Sequence, residues 1–174
     1  MKKTLLVVIG SLNRGGTEGH VAQVFSNINR MHYTVIVYTT SHKGVLAPML
    51  ATHGIKIITP PCATQLKKLG KLGKYFLYFL SSLKLSLLML RLRPAVVHCF
   101  LPGAYLLGGV CAVATRCSKL VMSRRSLNYY QSKHRLFAYI ERWLHRKTDL
   151  IIGNSRAVIQ QLRDEGVSKE KMVL

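Results

Sequence analysis

Short runs of β-branched and aliphatic residues alternate along this chain with longer segments whose apolar residues recur at helical spacing, and that alternation leaves few architectures open. The strand-like runs fall at 5–9, 34–39, 55–59, 95–99, 120–123 and 150–153, and the helix-like segments at 18–29, 44–52, 66–92, 104–115, 130–147 and 155–165. A strand that returns through a helix lies parallel to its predecessor, and strands as uniformly apolar as these are buried on both faces. The expected fold is therefore α/β, a doubly wound, mostly parallel, Rossmann-like sheet, in one domain spanning residues 1–174. Ligands in such sheets sit at the carboxyl ends of the strands, which directs attention to the loops after Ile9, Cys99, Ser123 and Gly153.

Met1, Lys2 and Lys3 before an apolar run imitate a signal peptide, but the run is short and leads into Asn13-Arg14-Gly15-Gly16 without a small-residue cleavage site. A first strand is the better reading. Cys62, Cys99, Cys111 and Cys117 form no CxxC pair and no zinc-type spacing, so buried reduced thiols in a cytoplasmic protein are expected. Met172-Val173-Leu174 reads as the opening of a further strand, as at a domain boundary.

Charge narrows the chemistry. Against 26 Lys and Arg stand 6 Asp and Glu, and Glu18 is the one carboxylate before Glu141. Such a field suits phosphate-bearing substrates, an anionic membrane surface or nucleic acid, and also plain solubility. The shortage of acids excludes the paired carboxylates of glycoside hydrolysis and a carboxylate cluster for Mg²⁺ or Ca²⁺.

The segment from Gly10 to Gly19 follows the first strand and opens a helix, where backbone N–H groups and the helix dipole together hold an anion. Gly16 stands where a P-loop carries lysine, and Thr39, Thr40 and Ser41 stand where a dinucleotide fold carries its acid. Two readings remain: Gly15, Gly16 and Thr17 cradle phosphate, or the glycines only shape a tight turn with Thr17 as its cap and Glu18 favouring the dipole.

On a helix over 66–93, Lys67, Lys68, Lys71, Lys74, Tyr78, Ser81 and Ser82 form a polar stripe, with leucines and Phe76 and Phe79 mainly elsewhere. This basic, amphipathic segment suits a crossover helix packed on the sheet, with contact to an anionic membrane surface as a second role. Residues 75–90 fall short of a ~20-residue span and contain Lys84 and three serines, so a transmembrane reading is disfavoured.

His98 ends the fourth strand, where this fold places functional side chains; a core hydrogen bond is the plainer reading. Arg124 and Arg125 end the fifth, two adjacent guanidinium groups suited to phosphate, or alternatively a solvated pair or a contact with Glu141. Asn154 and Ser155 follow the sixth strand, with Ser155 placed as a helix N-cap.

In order and spacing, Gly15-Gly16-Thr17-Glu18, Arg93-Pro94-Ala95-Val96-Val97-His98, Ser123-Arg124-Arg125-Ser126-Leu127 and 148–155 resemble the N-terminal domain of family 4 (GT4-like) GT-B glycosyltransferases over essentially the whole chain. The resemblance implies a metal-independent enzyme, needing no cofactor, that moves a sugar from a nucleotide-sugar donor to a carbohydrate or lipid-linked acceptor, usually with retention at the anomeric carbon. It implies that this half holds the acceptor, with Arg124, Arg125 and Asn154 as acceptor or phosphate ligands and Gly15 and Gly16 near the donor phosphates. Most donor contacts, including a glutamate pair, would belong to a C-terminal domain, without which this half should be inactive. Relatives acting on lipids often sit on the cytoplasmic membrane face through this half. Many relatives carry a second His where this chain has Phe100, and some a catalytic His where Arg124 aligns, so His98 does not simply inherit that role. Arg124 and Arg125 suit stabilising phosphate or the leaving group's developing charge rather than taking a proton, and the acid/base assignment is open. Against this stand two non-catalytic readings, a nucleic-acid-binding module and a membrane-surface scaffold; no nucleic-acid recognition motif is found.

Overall fold

The computed structural model describes residues 2–60, 70–127, 129, 131 and 134–174, with the side chains of Lys71 and Lys74 outside the description. Cys62, Lys67 and Lys68 lie outside the described residues. In chain order the elements are β1 (Lys3–Ser11), α1 (Gly16–Ser26), β2 (Tyr33–His42), α2 (Ala47–Thr52), β3 (Lys56–Ile58), α3 (Gly70–Leu92) and β4 (Val96–Phe100). There follow α4 (Pro102–Ala114), β5 (Leu120–Arg124), α5 (Arg135–Lys147), β6 (Leu150–Gly153), α6 (Arg156–Asp164), a 3₁₀ turn (Lys169–Lys171) and β7 (Met172–Val173).

All seven strands form one parallel sheet in the order β3-β2-β1-β4-β5-β6-β7, the doubly wound topology expected. Alternation along each strand divides the core. Val7, Ile9, Val35, Val37 and Phe100 face α1 and α2 and meet Val21, Phe25 and Leu50 there. Leu6, Val8, Ile36, Val97, Cys99, Met122 and Ile151 face the other way, onto Leu85 and Met89 of α3, Tyr105 of α4 and Leu144 of α5. β1 is sealed on both faces, which is why its sequence reads as an unbroken apolar run rather than an alternating one. Each fully buried side chain of this size contributes roughly 1.5–3 kcal/mol against exposure.

α4 lies close on the sheet because Gly108 has no side chain: a Cβ there would press on Cys99 Sγ and Val8. α3 is fastened to β2 by Tyr38, whose hydroxyl donates to the Ser81 carbonyl at 2.9 Å and lies 3.1 Å from Ser81 Oγ. Among the described residues the expected element types hold, but the segment expected helical from Gly44 starts only at Ala47, and the helix expected over 130–147 is interrupted at His134 and runs from Arg135. Cys99 and Cys111 are free and buried as anticipated, and Cys117 is free and half-buried.

Candidate functional site

β1 pairs with β2 on one side and β4 on the other, and the chain winds outward from this pair in opposite directions. The loops leaving β1 and β4 therefore diverge across a crevice at the carboxyl edge, the place where this topology admits ligands. On one side stands the glycine loop, on the other the strand end carrying His98.

The N-cap of α1 is Gly15, in extended conformation and without a side-chain capping bond; Thr17 lies inside the first turn, so it is not the cap. The first intrahelical bond runs from Gly19 N–H to the Gly15 carbonyl at 2.9 Å. Gly16 opens onto free space, and the Glu18 carboxylate folds against the Gly15 Cα, where the helix dipole favours negative charge. Neither glycine is demanded by a left-handed backbone; Gly16 has open space where a side chain would stand, whereas one at Gly15 would meet the Glu18 carboxylate.

What holds this loop was not legible in the sequence. The end of β2 and the segment after it cradle the loop: Leu12 N–H donates to the Lys43 carbonyl at 3.0 Å, and Leu46 N–H to the Leu12 carbonyl at 2.8 Å. Ser41 Oγ donates to the Gly10 carbonyl at 2.8 Å, and the Asn13 side-chain amide lies 2.9 Å from His42 Nε2. Gly44, at φ 82°, packs its backbone so closely on Leu12 and Asn13 that a side chain would overlap them.

Across the crevice His98 Nε2 lies 2.8 Å from Ser123 Oγ on β5, and its ring sits between Phe25 and Phe100 at centroid distances of 6.2 and 4.2 Å. Burial, helped by the neighbouring positive charge of His20, pushes the imidazole down to about 4. His20, on α1, is itself shifted down, first by burial and then by Arg125. His20, His98, Ser123 and Arg125 thus gather at one edge. His20 was missed, because a polar residue on a helix otherwise read as packing carries no signal of what the strands bring to it. Leu101, at the start of α4, holds φ 70°, a left-handed value rare for a side-chain-bearing residue, beside this cluster.

The two arginines part company. Arg125 is half-buried at the edge, and its carbonyl accepts from the Asn154 side-chain amide at 3.2 Å. Arg124 points into the opposite core layer, where it is 1% exposed and forks onto Glu165, Nη1 to Oε2 at 2.6 Å and Nη2 to Oε1 at 3.0 Å. His145 Nε2 lies 3.1 Å from the same carboxylate, and Tyr105 Oη joins His145 Nδ1 at 3.2 Å to Thr148 Oγ1 at 2.7 Å. Burial would raise the Glu165 carboxyl, but hydrogen bonds from His145 and Arg124 hold it down to about 2. Glu165 was not singled out from the sequence, and its pairing with Arg124 is a buried one rather than a contact at the edge. Ser155 caps α6 as expected, accepting from Val158 N–H at 3.3 Å.

α3 bears the polar-stripe residues that are described. Ser81 is buried, Lys84 Nζ donates to the Thr59 carbonyl at 2.6 Å, and Leu83, Leu87 and Leu90 are 50%, 52% and 55% exposed. Residues Tyr75–Leu92 are long and apolar enough to cross a membrane by length and composition, yet Leu77, Leu85 and Met89 are packed into the domain.

This sheet order is Rossmann-like, and by comparison with solved structures it matches one half of a GT-B architecture. Solved structures share the fold. HepE from Anabaena, in complex with UDP-glucose, superposes with a TM-score of 0.73 at 17% identity, over 98% of this chain and 43% of that one. The lipopolysaccharide outer core galactosyltransferase WaaB gives 0.66 at 13% identity, over 98% and 44%. The UDP-GlcNAc 2-epimerase from Methanocaldococcus jannaschii gives 0.64 at 10%, over 98% and 45%. The chain thus spans less than half the length of each. No match is found among curated proteins. The sequence model of Glycosyltransferase Family 4 matches residues 14–174, and the chain belongs to that family.

Proposed function

We propose that this chain is the acceptor-side half of a metal-independent glycosyltransferase that transfers a sugar from a nucleotide-sugar donor, with retention, to a carbohydrate or lipid-linked acceptor. The family match over residues 14–174 carries this reading. It is supported by the glycine loop opening onto the switch-point crevice, and by HepE, whose structure holds UDP-glucose in the same fold. The donor diphosphate approaches Gly15 and Gly16, displacing the Glu18 carboxylate from the helix terminus, while Arg125 meets phosphate or the acceptor from across the crevice. Thr17 contributes a first-turn N–H, and Asn154 fixes the backbone of Arg125.

His98 is neutral at physiological pH and a weak base, so its role is to hydrogen-bond a hydroxyl of the bound sugar rather than to take a proton. Arg124 acts only through the strand end it anchors. The remaining donor contacts come from a C-terminal domain. Lys71 and Lys74, with Lys67 and Lys68 beside them in sequence, and the exposed leucines of α3 seat the domain on the cytoplasmic membrane face.

The test is sugar transfer from UDP-glucose by the chain joined to its C-terminal domain, in the presence of EDTA. Turnover unaffected by the chelator and lost in Gly16→Asp, where a carboxylate would face the diphosphate, is expected. Epimerised UDP-sugar without transfer, or activity that needs added metal, would overturn the reading.

A further inference from the structure

At the opposite edge of the sheet from the crevice, the ends of α3 and α4 enclose a cavity of about 310 Å³, lined by Met89, Leu90, Arg93, Thr115, Arg116 and Ser118 among others. Arg93 and Arg116 each follow the last turn of a helix and each adopt a left-handed backbone, at φ 43° and 52°. Glycine is the usual residue at such a position, because a Cβ disfavours it. Both left-handed arginines line the same cavity.

Their side chains make none of the bonds that close these helix ends, although a positive charge there suits the helix dipole. Met89 O is taken by Arg93 N–H, Cys111 O by Thr115 N–H and Oγ1, Val113 O by Arg116 N–H, and Ala112 O by Cys117 N–H. Among the described residues no carboxylate pairs with either arginine. Asp149, the acid at this edge, is held by Lys119 Nζ and Leu120 N–H, both at 2.8 Å. Arg93 and Arg116, both exposed and lining the same cavity as the hydroxyl-bearing Thr115 and Ser118, carry the donor types that suit a tetrahedral oxyanion. Leu90 lines the cavity and continues the exposed apolar row of Leu83 and Leu87.

We propose that Arg93 and Arg116 form a phosphate-binding site, remote from the crevice, for a phosphomonoester or phosphodiester anion. The site does not depend on the glycosyl-transfer reading. Its anion is either a lipid headgroup, reached along the apolar row of α3, or a soluble phosphate.

The experiment titrates inorganic phosphate and glycerol 3-phosphate into ¹⁵N-labelled protein, and separately measures sedimentation with vesicles of phosphatidylcholine alone or mixed with phosphatidylglycerol. Saturable shifts confined to the amides of 115–118 are expected. In Arg93→Gly/Arg116→Gly, binding should weaken at least about tenfold, a loss of two charge-assisted contacts, while the melting temperature stays level or rises because glycine relieves the left-handed backbone. Arg93→Gln/Arg116→Gln, which retains the backbone strain, should lose binding equally and covers the case in which glycine loosens the fold. A charge-matched control, Arg142→Gln/Arg146→Gln on the exposed face of α5, should leave phosphate binding unchanged. Loss of phosphatidylglycerol-dependent sedimentation beyond that of the control identifies the lipid source; loss of soluble binding alone identifies free phosphate. Absence of saturable shifts at 115–118, or an equal loss in the control pair, overturns the site.

Discussion

Adjacent residues of one sequence can have opposite fates, and Arg124 and Arg125 show why. Successive side chains on a strand point to opposite faces of the sheet, so the fork onto Glu165 and the crevice edge are two sides of one strand end. Removing one partner of a buried pair leaves an uncompensated charge, and Arg124→Met is expected to destabilise the domain by about 3–5 kcal/mol. Arg125→Gln, at the edge, should change stability by less than about 0.5 kcal/mol while weakening phosphate or acceptor binding; thermal melts and ligand titrations on the two variants separate these roles. His98 adds a pH dependence whose sign is fixed. Its folded value lies near 4, below the ordinary 6.5, so the unfolded chain binds the proton first, and stability is full above 6.5 and lost as pH falls toward 4. Between pH 7 and 5 this group accounts for a loss of about 2 kcal/mol, which should be absent from His98→Gln and so appear as the difference between parent and variant in denaturant melts. Glu165, held near 2, loses its share only as pH falls from 4.5 downward.

At the scale of elements, the glycine loop depends on its neighbour. The segment from Ser41 to Leu46 clamps it, and Gly44 is the point where the two backbones touch. Gly44→Ala combines a left-handed backbone with a backbone overlap, so it is expected to cost about 1–3 kcal/mol and to disorder the crevice, read as lost amide protection at 12–16. α3 presents the opposite case, one helix serving a core and a surface. Leu85 is sealed against the sheet, whereas Leu83 and Leu87 are half exposed. Leu83→Glu/Leu87→Glu should leave the melt within about 1 kcal/mol, since surface changes are near-neutral, yet reduce sedimentation with phosphatidylglycerol vesicles severalfold. Leu85→Glu should unfold the domain.

At the scale of the molecule, the glycine loop on one side and Arg125 with the His20–His98 pair on the other are the groups that this chain brings to the crevice. If the remaining donor contacts come from a second domain, residues 1–174 produced alone should fold cooperatively in circular dichroism yet transfer no sugar. Robust turnover by this chain alone would place the donor site here instead. The excess of Lys and Arg over Asp and Glu, 26 to 6, makes any membrane association steeply salt-dependent.

Fold class and six of the seven strands, with the opening of the seventh at Met172, were legible in the sequence, because alternation of strand-like and helix-like periodicity is a local property and the parallel, doubly wound arrangement follows from it. Ser155 as a cap and the buried cysteines were legible for the same reason. Only the tertiary structure decided which of two neighbouring arginines is buried and which stays at the edge, that His20 stands beside His98, that Gly44 rather than Gly15 holds a left-handed backbone, packed on Leu12, and that Arg93 and Arg116 line one cavity. Each is a contact between segments far apart in the chain. Local pattern sets which face of an element is buried; the partners on that face are set by the register of strands and the packing of helices, which no local window contains.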